Sequence, residues 1–193
     1  MKAIRHFFAI TAAAILLALP AAAQTSTWKI DPNHSGVQFV IRHMGVSNIH
    51  GTFGNVTGTL TWNEKDITKS SVEAVIDATT VNTTVAPRDK HLKSADFFNI
   101  EKYPTLTFKS TAVKKVNGKL QLIGDLTLTG VTKSVTFDVE GPSTPQTTKG
   151  KTISGFSARG TLKRSDFNFG PKFAPPMLGD EIQFTIDLEI DKQ

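Results

Sequence analysis

Cysteine is absent from all 193 residues of the sequence. Its absence excludes disulfide frameworks, thiolate metal sites and cysteine nucleophiles. It also excludes a lipid-anchored lipoprotein, which carries its lipid on a cysteine beside the leader cleavage site. The chain is nevertheless long enough to bury a substantial core without disulfide bonds.

Concentrated positive charge is lacking as well. The chain has 22 lysines and arginines against 17 aspartates and glutamates, but the basic residues never form a block. A nucleic-acid-binding surface requires a concentrated basic stripe with interleaved aromatic side chains. We therefore predict no nucleic-acid partner.

Long apolar runs are confined to the N-terminus. Residues 7–20 form an apolar segment that follows Lys2 and Arg5 and precedes three alanines, Ala21–Ala23. This three-part pattern is typical of a secretory signal. The segment is shorter than the about 20 residues of a membrane-spanning helix, and no later segment is apolar enough to cross a bilayer. We predict a protein that is exported and does not span a membrane.

The boundaries follow from this leader. We predict a cleaved Sec-type signal peptide over residues 1–23, with cleavage after Ala23. Loss of Lys2 and Arg5 with the leader lowers the formal net charge from +5 to +3. The remainder, residues 24–193, has the length of one domain and contains neither internal repeats nor a linker.

Catalytic signatures are missing. The sequence has no G-x-S-x-G elbow, no H-E-x-x-H pair and no phosphate-cradling glycine loop. Asp89 near His91 resembles half of an acid–base pair, with Ser94 as a nucleophile, but such residues also serve helix caps and i,i+4 pairs. We predict that the protein is not an enzyme. The alternative is an enzyme that uses the Asp89/His91 cluster.

Metal-binding spacing is missing too. Four histidines after the leader are scattered, and no two of them have the spacing of zinc ligands: His34, His43, His50 and His91. Two of them could still meet in space, so a metal-binding protein is kept as part of the same alternative. We predict no metal site and no cofactor.

What the sequence does contain is alternation with a period of two from Thr27 onward. The last such segment is the clearest, with Ile182, Phe184, Ile186, Leu188 and Ile190 on one face. One-sided alternation is typical of antiparallel strands with one face on a core. About eight such segments are joined mostly by short turns, including the Asn117-Gly118 hairpin signal. We predict an all-β fold, an antiparallel meander closed into a β-barrel; a two-sheet sandwich is the alternative.

One stretch, Thr83–Pro104, departs from this alternation. Pro87 suits the first turn of a helix, and Asp89 and Lys93 have the favourable acidic-first i,i+4 order. We predict a short helix over Pro87–Ala95, inserted between the two runs of strands. A single helix in this position is expected to cover or close one end of the barrel.

The apolar side chains on the inward phase suggest a ligand cavity. The chain has 13 phenylalanines but one tyrosine and two tryptophans. A barrel of about eight strands is either filled by side chains or holds one small ligand. Strand phase places ten residues inside: Val37, Phe39, Ile41, Phe53, Leu106, Phe108, Leu126, Phe137, Phe156 and Phe184. If the interior is hollow, these residues predict a pocket for a long apolar ligand, stabilised by about 25 cal/mol per Å² buried.

Several motifs resemble those of a known family. They include Trp28-x-Ile30-Asp31-x-x-His34-Ser35, the run from Arg88-Asp89-x-His91-Leu92 to Asp96-Phe97-Phe98, and Gly124-x-Leu126-Thr127-Leu128-x-Gly130-Val131-Thr132-Lys133. Their order from Trp28 to the C-terminus is similar to that of the YceI-like periplasmic proteins. The resemblance implies a lipocalin-like barrel and a periplasmic location.

The same resemblance implies a ligand and a passive role. Family ligands are isoprenoid quinones, polyprenyl phosphates and fatty amides, so we expect a carrier of a polyisoprenoid or similar amphiphile without turnover. Arg88 and His91 are expected to meet a polar head at the mouth, with Asp89 orienting one of them. Phe97 and Phe98 are expected to plug or line that end. A structural ion pair of Arg88 with Asp89 or Asp96 is the alternative. A homodimer, and a transient contact with the envelope membrane or a membrane cytochrome, stay open.

Overall fold

The computed structural model describes residues 25–193. The predicted leader and its cleavage site after Ala23 lie outside these residues. Within them the chain forms eleven strands: β1 (Thr25–Ile30), β2 (Gly36–His43), β3 (Ser47–Phe53), β4 (Val56–Asn63), β5 (Ser71–Asp77), β6 (Thr105–Val116), β7 (Lys119–Leu128), β8 (Val131–Glu140), β9 (Gln146–Thr148), β10 (Lys151–Lys163) and β11 (Leu178–Lys192).

The sheet closes on itself. Eight strands form the ring in the order β11-β1-β4-β5-β6-β7-β8-β10, and β10 pairs with β11 to complete it. All the pairings are antiparallel, and β4 to β8 follow one another as a meander. The predicted antiparallel barrel is confirmed, and the closing pair β10–β11 decides against the sandwich.

Two strands, β1 and β2, share one edge of the long strand β11. β2 lies along the first part of β11 and β1 along its last residues, so both occupy the same edge of β11. β3 pairs with β2, and β4 pairs with β1. Gly54 and Asn55 separate β3 from β4, and Asn55 has a φ of 52°.

Tight turns join several of the strands. The predicted Asn117-Gly118 hairpin is confirmed, with both residues at positive φ (50° and 79°) between β6 and β7. A pair of positive φ values matches the right-handed twist of the flanking strands. The segment that joins β8 to β10 contains the short strand β9 and its hairpin turn to β10.

One α-helix follows β5. This helix, α1, spans Ala86–Lys93, so it begins one residue before the predicted Pro87 and ends two residues before Ala95. The segment that leads into it is tied to the barrel wall, because Asn82 and Thr52 of β3 exchange two backbone hydrogen bonds of 2.9 and 3.0 Å. The helix is thereby fixed beside the free edge of β3. In the described part of the chain, no helix is long and apolar enough to cross a membrane.

Candidate functional site

The barrel encloses a cavity of about 440 Å³, which opens between α1, the β2–β3 hairpin and the loop before β11. The size lies within the range of small-molecule sites. Among its lining side chains, four carry nitrogen or oxygen, and the others are aliphatic, aromatic or thioether groups. The polar four are His43, Thr83, Arg88 and His91. We call this space the upper cavity and its opening the mouth.

Most of the interior residues predicted from strand phase meet at this cavity. It is lined by Val37, Phe39, Ile41, Phe53, Leu106, Leu126, Phe137 and Phe184. Phe108 is buried against Phe137 and does not line this cavity, and Phe156 lines a separate space near Trp62. Period-two alternation identifies the inward face of a strand, but it does not report the depth at which each side chain lies.

Part of the lining comes from a segment without alternation. Phe169, Phe173 and Met177 belong to the loop between β10 and β11, and they face the upper cavity. Phe173 stacks on Phe97 with ring centroids 4.9 Å apart and an interplanar angle of 9°. A signal was present, since apolar side chains in a proline-rich loop need something to cover them. No periodicity showed where they point.

This loop is held by Arg164, which is 4% exposed. Its Nε donates to the carbonyl of Gly179 at 2.9 Å, and its Nη1 donates to the carbonyls of Phe169 (3.0 Å) and Gly170 (2.8 Å). Its Nη2 donates to the carbonyls of Phe173 and Leu178. The buried guanidinium therefore replaces the regular backbone pairing that this segment lacks.

The mouth carries a second arginine arrangement, centred on Thr83. Arg88 donates from Nε to Thr83 Oγ1 at 2.7 Å and from Nη2 to the Thr83 carbonyl at 2.9 Å. Asp89 accepts from the Thr83 backbone N–H at 2.8 Å and from its hydroxyl at 2.5 Å. Asp89 does not line the cavity; it orients Arg88 through Thr83. Across residues 25–193 no ion pair joins Arg88 to Asp89 or Asp96, so the alternative pairing is not formed.

His91 has a different carboxylate partner. Its Nε2 lies 3.0 Å from Asp96 Oδ2, and Lys172 Nζ donates to Asp96 Oδ1 at 2.7 Å. The hydrogen bond from Lys172, followed by that to His91, holds the pKa of Asp96 below its usual value. The His91 ring packs edge-on against Phe97 and Phe173, with centroids 5.0 and 5.6 Å away. Phe97 and Phe98 also line the cavity, at its α1 end.

Asp89 and His91 each contact a different residue and do not pair with each other. Asp89 is engaged with Thr83, and His91 with Asp96. Within residues 25–193, the one group of three potential metal ligands whose atoms lie within 4.8 Å of one another is Asp31, His34 and Glu189, remote from Asp89. His34 Nδ1 lies 2.9 Å from Asp31 and 3.5 Å from Glu189. These contacts join the β1–β2 connection to β11.

A closed antiparallel barrel of eight strands, with an apolar cavity that opens beside a few polar side chains, defines a lipocalin-like barrel. Within that class, the model of the YceI-like domain matches residues 28–190. The chain belongs to the YceI-like family, as its motifs predict.

Individual relatives agree with this assignment. Protein YceI of Escherichia coli O157:H7 is 41% identical over 169 residues, which cover 86% of this chain and 87% of the relative. The crystal structure of the Campylobacter jejuni YCEI protein is 32% identical, with a TM-score of 0.70 over 79% of this chain and 90% of that one. A polyisoprenoid binding domain from Saccharophagus degradans shares the fold at 15% identity, with a TM-score of 0.63 over 86% of this chain and 98% of that one.

Proposed function

We propose that this protein binds one long-chain apolar or amphiphilic molecule in the upper cavity and carries it without chemical change. The candidates are a polyisoprenoid, such as a polyprenyl phosphate, an isoprenoid quinone and a fatty amide. The observation that supports this most directly is the lining of the cavity, which is apolar except beside the mouth. Burial of a chain against such walls is favourable by about 25 cal/mol per Å².

The mouth supports an amphiphile over a wholly apolar ligand. Arg88 uses Nε and Nη2 to hold Thr83, and its Nη1 has no hydrogen-bond partner within residues 25–193. A guanidinium N–H beside a cavity suits a phosphate or carbonyl oxygen. We assign the head-group contact to Arg88 and His91, and the closure of that end to Phe97 and Phe98.

The rim of the mouth supports loading from a membrane surface. Three exposed apolar side chains lie there, Val46 (76% exposed), Met44 (50%) and Met177 (50%), and the Met44 N–H donates to the Met177 carbonyl at 3.1 Å. Arg42 lies beside them, with Gly45 and Asn48 as its hydrogen-bond partners. Within residues 25–193 no carboxylate pairs with Arg42, and exposed apolar side chains next to such a cation match an anionic lipid interface.

The location and the cargo class are part of the same proposal. Removal of residues 1–23 would leave a periplasmic protein, in keeping with the resemblance of its motifs to periplasmic proteins. The Saccharophagus degradans domain that shares the fold is a polyisoprenoid binding domain, which favours an isoprenoid chain among the candidates. No reacting group is required for this role.

Native mass spectrometry tests the proposal. Protein purified from the bacterial envelope is expected to retain a lipid adduct, which is then identified by fragmentation. The delipidated protein should bind a polyprenyl phosphate or a quinone at a ratio of one to one. A mature chain that carries no adduct and also fails to bind either added lipid would contradict the proposal.

A further inference from the structure

All the sulfur of residues 25–193 lies at the mouth. The sequence has three methionines and no cysteine, and Met1 belongs to the predicted leader. Met44 is in the turn between β2 and β3, and Met177 directly precedes β11. Two segments that are distant in the chain therefore bring both thioethers to the rim.

The two methionines are joined through the backbone. The Met44 N–H donates to the Met177 carbonyl at 3.1 Å, and the adjacent residues His43 and Leu178 are paired between β2 and β11. The β2–β3 turn and the loop before β11 thus meet at this pair. A change in one thioether acts on the same part of the rim as a change in the other.

Both thioethers are open to small molecules in solution. Each of the two methionines is half-exposed, whereas two other oxidisable side chains, Trp28 and Trp62, are buried. The sequence supplies no thiol that would compete for an oxidant. A peroxide that reaches the folded protein is therefore expected to react first at Met44 and Met177.

The two side chains have different surroundings. Met177 lines the upper cavity together with Phe173 of the same loop and Ile182 of β11. Met44 is outside the cavity lining and shares its turn with the exposed Val46. Oxidation of Met177 therefore changes the ligand space, and oxidation of Met44 changes the apolar surface of the rim.

Oxidation converts each thioether into a sulfoxide. A lone pair of the sulfur attacks one oxygen of hydrogen peroxide, the O–O bond breaks, and an S–O bond forms. The proton of the attacked oxygen moves to the departing hydroxide, which leaves as water, so the sulfur loses two electrons and the peroxide gains them. A dithiol reductant reverses the step, becoming a disulfide with release of water. The sulfoxide is a polar acceptor in place of a flexible apolar group.

We propose that Met44 and Met177 form an oxidation site at which a peroxide loosens the hold of the protein on its ligand. This inference rests on the proposed function and adds a regulation of the same cavity. A sulfoxide at Met177 faces an apolar chain that offers it no donor, so binding of the chain is weakened. A sulfoxide at Met44 removes apolar surface from the rim and weakens its contact with a lipid surface.

Peroxide treatment of delipidated protein tests this inference. Hydrogen peroxide is applied until peptide mass mapping shows full conversion of both methionines, and thermal melting confirms that the protein stays folded. Affinity for geranylgeranyl phosphate should fall at least about fivefold. Binding to vesicles that contain anionic lipid should fall at least about twofold. Treatment with methionine sulfoxide reductases and a dithiol should restore both.

Two matched substitutions separate the sulfurs, since leucine keeps the apolar volume of methionine without an oxidisable atom. The readout for each protein is the ratio of its affinities before and after peroxide, so a shifted starting affinity does not enter. In Met177→Leu the affinity for geranylgeranyl phosphate should become insensitive to peroxide, while vesicle binding stays sensitive through Met44. In Met44→Leu the phosphate affinity should still fall. The double variant should be insensitive in both assays.

The outcomes separate this inference from the function beneath it. If the oxidised wild type binds as tightly as the reduced one, if it loses binding only by unfolding, or if the double variant loses binding as the wild type does, Met44 and Met177 are not a regulatory site although the protein binds lipid. Failure of peroxide to oxidise them in the folded protein would also overturn the inference. If the reduced wild type binds neither geranylgeranyl phosphate nor a quinone, the proposed function fails and this inference fails with it.

Discussion

Arg88 is held at the cavity mouth by Thr83, whose hydroxyl and carbonyl oxygens accept from Nε at 2.7 Å and from Nη2 at 2.9 Å. Thr83 is 2% exposed, and its hydroxyl donates a hydrogen bond to Asp89. One buried hydroxyl thus joins the cation that faces the ligand space to the carboxylate behind it. The direction of the Arg88 side chain depends on this hydroxyl, so a change at Thr83 should alter head-group binding without touching the apolar walls.

Thr83→Val is expected to lower the affinity for a polyprenyl phosphate by about tenfold, because Arg88 loses an acceptor that orients its charge-assisted contacts. The affinity for the matching alcohol should change less than about twofold, since the walls that hold the chain are unaltered. Unfolding free energy should fall by about 1–3 kcal/mol, because Asp89 and Arg88 each lose a buried partner. Titration calorimetry and urea denaturation measure these quantities.

Thr79→Val is the matched control for this experiment. Thr79 also donates its hydroxyl to a carboxylate, Asp77 Oδ1, at 2.6 Å, but it is exposed and lies outside the cavity. Thr79→Val should lower the free energy of unfolding by less than Thr83→Val does, and it should leave the affinities for the polyprenyl phosphate and for the alcohol unchanged. Equal losses of phosphate and alcohol binding in Thr83→Val would contradict the head-group role of Arg88.

Arg164→Met should destabilise the protein by about 3–5 kcal/mol, because several buried carbonyls lose their donor at once. In a domain of this size that corresponds to a fall in melting temperature of about 10 °C. Ligand retention should fall as well, since Phe173 and Met177 belong to the loop that Arg164 holds. Arg159→Met is the control, because Arg159 pairs with Glu140 on the surface, where both side chains are more than half exposed.

The control variant Arg159→Met should change the free energy of unfolding by no more than about 1 kcal/mol. Scanning calorimetry compares the two variants under one condition. If Arg164→Met melts no earlier than Arg159→Met, the buried guanidinium does not hold the loop.

Val46→Ser should weaken binding to vesicles that contain anionic lipid by at least severalfold, because it removes apolar surface from the rim of the mouth. Val116→Ser is the control, since Val116 is 39% exposed at the β6–β7 turn, at the opposite end of the barrel. Co-sedimentation at low and high salt measures the effect, and salt should weaken the binding that depends on Arg42. An equal loss in both variants would mean that the rim is not the membrane contact.

The contact of His34 with Asp31 predicts a pH dependence of stability. The hydrogen bond that His34 donates to Asp31, with the charge of Glu189, raises the pKa of His34 above its ordinary value of 6.5, and the same bond lowers the pKa of Asp31 below 3.8. A histidine with a raised folded-state pKa stabilises the fold fully below its unfolded pKa. That stabilisation is lost as the pH rises through the folded-state pKa.

The test compares urea midpoints of the wild type and His34→Asn at about pH 5.5 and pH 8.5, on either side of the ordinary histidine pKa. The urea midpoint of the wild type should exceed that of His34→Asn at the lower pH, and this difference should disappear at the higher pH. The Asp31 contribution behaves oppositely, being present above 3.8 and lost as the pH falls through its lowered pKa. His50→Asn, on the exposed face of β3, should reproduce the wild-type trend. A pH-independent difference between wild type and His34→Asn would contradict the ion-pair origin.

Prediction from the sequence succeeded where one local rule controls the structure. Strand phase identified Phe137 and Phe184 as inward-facing, because successive side chains of a strand point to opposite faces. Asn117-Gly118 marked a hairpin, because both residues tolerate positive φ. Pro87 and Asp89 marked the helix to within two residues, because they suit a first turn.

The interior contacts were less predictable. Phe156 and Phe137 have the same inward phase, yet they lie at different depths, because depth depends on strand stagger around a closed barrel. Arg88, Asp89 and His91 are neighbours along the chain, but Thr83 and Asp96 are their partners. Those partners depend on how the segment around α1 lies against β3, which no local rule specifies.

The sequence by itself determined a pattern typical of a secretory signal, an antiparallel meander with one helix, and an apolar face on each strand. Composition and periodicity are enough for that, because they act through local backbone geometry and burial. Tertiary structure alone decided that the barrel closes through β10 and β11, that Phe137 and Phe156 line different spaces, and that Thr83 is the residue that orients Arg88. The physical reason is that each of these features requires residues distant in the chain to meet at one depth and one orientation, which is settled by packing rather than by sequence pattern.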